Sequence, residues 1–227
     1  MNAAQENAGR GIWTGRWIGI ALTIHYILVC VIKIDQGRGD EIWWLCHATL
    51  ALAAAGFMLR SGTLLGMAFL GVLVPHTLWL TDAAAGAVLG VQCAGVTTYL
   101  RHADAATWLS TCHHFYLLPL LWMHRKRLLC RPAETLFGMA LVYLLLTAVS
   151  RLALPAQGNV NYAHAFFPAL EWQPLNALNA SPWWLYLAAL NTAALGLFFL
   201  PAMVVLGVPS KTSPRRLGVP ALSPSRG

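Results

Sequence analysis

A run of about 20 apolar residues is long enough to cross the roughly 30 Å hydrocarbon core of a bilayer, and this chain contains six of them in 227 residues. They cover 17–34, 42–59, 64–80, 106–124, 135–154 and 183–208. Backbone polar groups in lipid must be satisfied within the segment itself, so each run is expected to be helical. The expected fold class is therefore all-α: a polytopic helical membrane bundle of about six transmembrane helices. Composition agrees, since 58% of residues are hydrophobic and 10% are charged, against about 25% charged in a soluble domain. A seventh stretch, 83–100, is different. It carries Gly86, Gly90, Gln92, Gly95, Thr97 and Thr98, and only Thr81 and Asp82 separate it from the third run. Glycine-rich, half-polar backbone is tolerated at membrane depth where protein buries it or water lines it, so a re-entrant or surface-lying segment is expected there.

Charge distribution orients the bundle. With the N-terminus inside, the cytoplasmic side holds Arg10, Arg16, Arg60, Arg125, Lys126, Arg127, Arg131, Lys211, Arg215, Arg216 and Arg226. The outside holds Lys33, Arg38, Arg101 and Arg151. Positive residues favour the cytoplasmic flank, and a seventh span would carry the basic run 124–127 outside. The acidic residues Asp35, Asp40, Glu41, Asp82, Asp104 and Glu171 fall outside. Trp13, Trp17 and Trp122 mark inner boundaries, and Trp43, Trp44, Trp79, Trp108, Trp183 and Trp184 mark outer ones, as amphipathic rings prefer the interface. The organisation expected is a cytoplasmic N-terminus (1–16), a transmembrane domain (17–208) and a disordered basic cytoplasmic tail (209–227), in the cell inner membrane. The first run reads as a retained span, since no small-residue cleavage site follows it. The net charge of +7 belongs to these flanks, so no nucleic-acid partner is expected. Small residues such as Gly66 and Gly71 permit close helix contacts, but they do not set an oligomeric state.

Ionisable groups are costly in a membrane and usually face the bundle interior or a wet cavity. Here they are few, and they share one depth in the outer half. Cys46 and His76 lie about one turn inside the outer ends of their runs, and His113 and His114 about two turns inside theirs. A thiol becomes a nucleophile beside an imidazole or positive charge; packed among apolar neighbours, it is a small hydrophobe. Adjacent helical residues diverge by about 100°, so His47 is a poor base for Cys46, and one of His113 and His114 is expected to face a cavity. His76 follows Pro75 and either satisfies a carbonyl freed by the proline or joins the site. Asp82 either orients a histidine or sits solvated at the interface. Asn159, Asn161 and Tyr162 form a polar loop segment, suited to a head group or to an ordered turn. His25 is mid-membrane and unassigned.

Five cysteines (Cys30, Cys46, Cys93, Cys112 and Cys130) include no CxxC pair, so no disulfide framework is expected. No HExxH, GxSxG, Walker or GxGxxG motif is present. His47, His76 and one of His113 and His114 offer three nitrogen ligands with an open position, though at no helical ligand spacing; no metal or other cofactor is assigned.

Trp44-Leu-Cys-His-Ala-Thr-Leu50, His113-His-Phe-Tyr-Leu-Leu-Pro119, Asn159-Val-Asn-Tyr162 and Pro182-Trp-Trp-Leu185 occur in an order that resembles the integral-membrane, cysteine-dependent acyltransferase family that remodels ether phospholipids. The chain resembles that family's bacterial multi-pass relatives more closely, over roughly residues 42–200. The resemblance implies that Cys46 takes an acyl group as a thioester and that His113 or His114 activates first the thiol and then the acceptor hydroxyl. His47, His76, Asp82, Asn159, Asn161 and Tyr162 are the candidate substrate-binding residues, and a membrane lipid is the expected substrate. Two readings compete with this one: a histidine-liganded metal or haem membrane protein, and a non-catalytic assembly or transport subunit.

Overall fold

A computed structural model describes residues 3–91, 95–128, 131–166 and 172–207. The basic tail, Gln92, Cys93, Cys130 and Glu171 lie outside the described residues. Among those described, every regular element is helical. Four helical stretches are long and apolar enough to span a membrane: Gly15–Asp35, Gly62–Leu89, Pro132–Ala153 and Trp183–Gly207. The protein is a helical, membrane-embedded bundle.

The elements are α1 (Ala3–Asp35), α2 (Leu45–Leu59), α3 (Gly62–Leu89), α4 (Ala105–Thr111), α5 (His113–Met123), α6 (Pro132–Ala153), α7 (Gln173–Asn179), α8 (Trp183–Ala194) and α9 (Leu200–Gly207). One π turn, Leu195–Phe199, joins α8 to α9. Six spans were expected, and four meet the length requirement. The second run forms α2, a 15-residue helix, because the stretch before it, Gly39–Trp43, folds as a 3₁₀ turn. The fourth run divides into α4 and α5 at Cys112. The 83–100 stretch is not one separate element, since its first part continues α3 to Leu89. The helix ends at Gly90, whose φ of +69° is the left-handed conformation that glycine adopts without steric cost.

The α3 helix is the centre of the bundle. It packs against α2, α5, α6 and α9, and 56% of its apolar window is buried in protein, against 22–28% for the other three spans. Two glycines make this possible. A Cβ at Gly66 would lie 2.7 Å from the Leu128 carbonyl oxygen, and one at Gly71 would collide with the Thr49 methyl on α2. Both contacts depend on the missing side chain. The core runs through Leu50, Ala53, Phe57, Phe69, Leu70, Leu117, Leu121 and Met139. Outward faces present Ile24, Val31, Leu78, Val88, Leu144 and Leu197, the apolar coat that lipid requires.

Candidate functional site

Local folding around Cys112 creates the site. The Phe115 N–H donates to the Cys112 carbonyl, three residues back, at 3.0 Å. The turn therefore tightens, and His113 and His114 bond carbonyls themselves. Their Nδ1 atoms lie 3.1 Å from the Ser110 carbonyl oxygen and 2.9 Å from that of Thr111. A carbonyl oxygen only accepts, so Nδ1 carries the hydrogen in both rings. In the neutral ring Nε2 is then a bare acceptor. The same logic holds for His47, whose Nδ1 lies 2.8 Å from the Glu41 carbonyl oxygen.

His113 is the hub of a cluster of rings contributed by four helices. Its centroid is 4.2 Å from His114, 5.3 Å from His47 on α2, 5.7 Å from His76 on α3 and 5.9 Å from His25 on α1. His76 lies 4.4 Å from His114, which also stacks on Trp79 at 4.5 Å. Cys46, the second residue of α2, completes the group. Its Sγ and one ring nitrogen each of His113 and His114 all fall within 4.8 Å of one another. Opening onto the cluster is a cavity of about 460 Å³, lined by Cys46, His47, His76 and His114 but not by His113. Of the paired histidines, His114 lines the cavity, while His113 sits behind it, fully buried. His47 also reaches the cavity wall, although it diverges from Cys46 along the helix.

Hydrogen bonding divides the histidines into two groups. His25 places Nε2 3.0 Å from the Leu109 carbonyl oxygen and bonds the Tyr116 hydroxyl through Nδ1. His164 has Nε2 3.1 Å from the Ser150 carbonyl oxygen and accepts from Arg151 at Nδ1, 3.2 Å away. Both rings are fully used. His76, by contrast, is fully buried with neither nitrogen hydrogen-bonded, and His113 Nε2 is likewise without a partner, among the described residues. A buried unsatisfied polar group costs about 1–3 kcal/mol, so these atoms represent a substantial penalty. His76 bonds no freed carbonyl among the described residues. The Thr77 hydroxyl donates to the Leu73 carbonyl, four residues back, at 2.5 Å, rather than to the Gly71 carbonyl that Pro75 leaves without an N–H.

The remaining candidates separate by position. Asp82 is buried and holds the segment after α3, accepting from the Thr97 N–H at 2.9 Å, the Thr97 hydroxyl at 2.8 Å and the Gly95 N–H at 3.3 Å. Among the described residues it is not part of the cavity wall. Asn159 also lies away from the cavity; it accepts from the N–H groups of His164 and Ala165 and donates to the Ala165 carbonyl. Asn161 lines the cavity and anchors α2. It accepts from the Leu45 N–H at 2.8 Å and donates to the Trp43 carbonyl at 2.8 Å and Ser150 Oγ at 3.2 Å. That bond satisfies one of the unpaired N–H groups at the start of the helix carrying Cys46. Asn159, Asn161 and Tyr162 all have positive φ, between 40° and 56°, so the loop holds three non-glycine residues in the left-handed region. Tyr162 also lines the cavity, and burial pushes its phenol up to about 12, so it stays protonated at neutral pH.

Several lining residues were not singled out from the sequence. Lys33 Nζ is 2.8 Å from Glu41 Oε2, and Arg38 Nε donates to Glu41 Oε1 at 2.6 Å. These three residues line the cavity and leave one positive charge in excess. Trp79, Tyr99, Leu78, Phe166 and Phe198 supply mostly apolar wall. His25 was signalled by its place on the stripe with Leu22 and Val29, both buried, and Trp79 by standing three residues beyond His76. The described thiols Cys30, Cys46 and Cys112 are free; of these, Cys46 alone lines the cavity. Compared with protein-family models, curated proteins and solved structures, the chain matches none of them.

Proposed function

We propose that this protein transfers acyl groups between lipids through a thioester on Cys46. The observation that carries the reading is the placement of a cavity-facing thiol within 4.8 Å of ring nitrogens of His113 and His114, both pinned through Nδ1 so that Nε2 is the acceptor. A nucleophile beside an oriented base is the arrangement that activates a thiol.

In the first half-reaction the Cys46 proton passes to Nε2 of His114, the paired histidine on the cavity wall. The thiolate attacks the carbonyl carbon of an acyl ester, the C–S bond forms, and the ester C–O bond breaks. The departing alkoxide takes the proton from His114. In the second half-reaction an acceptor hydroxyl gives its proton to His114 and attacks the thioester. The new C–O bond forms, the C–S bond breaks, and the proton returns to sulfur. One imidazole thus serves as base and acid in turn. The apolar wall of Leu78, Phe166 and Phe198 suits an acyl chain. The cationic excess of Lys33 and Arg38 over Glu41 suits a head-group phosphate.

With both termini cytoplasmic, the cavity opens on the non-cytoplasmic half of the inner membrane. A cysteine introduced within 125–131 should be protected from impermeant thiol reagents applied outside, and ready labelling there would reverse the orientation. The chemistry is tested with an alkyne-tagged, activated fatty-acyl ester on detergent-solubilised protein. Wild type should acquire a label released by hydroxylamine, and Cys46→Ala should not. Equal labelling of the two proteins would rule the thioester out.

A further inference from the structure

We infer that the Cys46–histidine cluster is also a binding site for a thiophilic divalent cation of the Zn²⁺ class, held by Cys46, His113 and His114 with His76 as the fourth ligand. The site stands on geometry independent of acyl transfer; its effect on that reaction, blocking the thiol, rests on the reading above.

Three observations converge. The donor atoms of Cys46, His113 and His114 already lie within 4.8 Å of one another. Zn–S and Zn–N distances put tetrahedral donors roughly 3.5 Å apart, so closure needs a shift of about an ångström, within the reach of side-chain rotation. Second, two of the histidines carry the outer-shell bonds that ligand histidines make. The Nδ1 atoms of His113 and His114 donate to the Ser110 and Thr111 carbonyls, which fixes the tautomer and leaves Nε2 as the donor atom for a metal. Third, His113 Nε2 and both nitrogens of His76 are buried without hydrogen-bond partners among the described residues, and His76 packs against His114 at 4.4 Å. A cation would engage the lone pair of His113 Nε2 and that of one His76 nitrogen, while the other His76 nitrogen carries the hydrogen. One thiolate with three imidazoles is a soft-to-borderline donor set without carboxylate. That set selects Zn²⁺ over Mg²⁺ or Ca²⁺.

The test uses full-length, tag-free protein in detergent, stripped with a chelator and titrated with Zn²⁺ or Co²⁺ alone. One equivalent should bind, and Co²⁺ should give a thiolate-to-cobalt charge-transfer band with the strong visible bands of a four-coordinate ion. Cys46→Ala should abolish the charge-transfer band, and His76→Gln should weaken binding about tenfold or more. Absence of stoichiometric binding by wild type, which needs no variant to fold, overturns the inference, as does a charge-transfer band that survives in Cys46→Ala. Acyl labelling of stripped and Zn²⁺-loaded protein separates the two readings. Labelling that Zn²⁺ suppresses supports both. Labelling without any cation binding overturns the cation site alone, and cation binding without labelling overturns acyl transfer alone.

Discussion

The residues that tether the loops and those of the interior cluster are both polar, but their hydrogen-bonding capacity is met in opposite ways. The tethers are put to structural use: Asp82, on α3, ties down Gly95 and Thr97, Asn159 closes its own turn, and Asn161 joins Leu45, Trp43 and Ser150. At the cluster, His76 and one nitrogen of His113 have no hydrogen-bond partner among the described residues. A polar group that is fully satisfied rigidifies the fold, whereas an unsatisfied one lowers stability and persists where function needs it. Satisfied and unsatisfied polar groups thus sit in separate parts of this protein.

The strongest test of that separation is Cys46→Ala, which should reduce acyl labelling to background while leaving the melting temperature in detergent nearly unchanged. A large fall in melting temperature would move Cys46 to the structural side. Next, His114→Gln should slow acyl turnover by about 10²–10⁴-fold, the usual contribution of a positioned acid–base group, read by single-turnover kinetics. Asn161→Ala should destabilise the fold by about 2–4 kcal/mol, because it removes three hydrogen bonds and leaves the Leu45 N–H buried and unpaired; thermal unfolding measures it. His76→Leu should have the opposite sign, raising stability by about 1–2 kcal/mol as two unsatisfied nitrogens leave the core. A loss of stability there would show that the ring is satisfied and break the contrast. The smallest effect belongs to Asp104, which caps α4 by accepting from the Thr107 N–H at 2.7 Å. The side-chain and backbone bonds from Thr107 hold its carboxyl below the usual range. Its contribution is present above the unfolded-state pKa and is lost as pH falls through the folded one. Protection of the amides at the start of α4, taken relative to their intrinsic exchange rates, should therefore fall in acid, and Asp104→Asn should remove that pH dependence.

Much of the fold is legible in the sequence, because a bilayer leaves few choices. The apolar runs that begin at 17, 64, 135 and 183 each lie in a helical stretch long and apolar enough to span a membrane, since length and hydropathy are read directly from the chain. The run 106–124 was legible as apolar but not as two helices. The tight turn at Cys112 has no proline or glycine to announce it, and it is held in part by imidazoles bonding back to the chain. The run 42–59 was shortened for a tertiary reason: the segment before Leu45 is held by Asn161, 116 residues away.

The site shows the same division. That Cys46, His76, His113 and His114 share a depth followed from counting residues along helices, because helical rise is fixed. Which of them meet did not follow, because rotation about each helix axis is set by packing. Gly66 and Gly71 draw α3 against its neighbours, and that approach turns His76 toward α5. The roles of Asp82 and Asn159 were open for the same reason: a polar side chain near the membrane surface reads alike whether it anchors a loop or binds a ligand. Hydropathy and helical rise, both read along the chain, specify a helical membrane protein with its reactive groups at one level. Tertiary structure alone decided that four helices bring five histidines and one thiol around a single point, since contacts between distant segments depend on how helices rotate and close on one another.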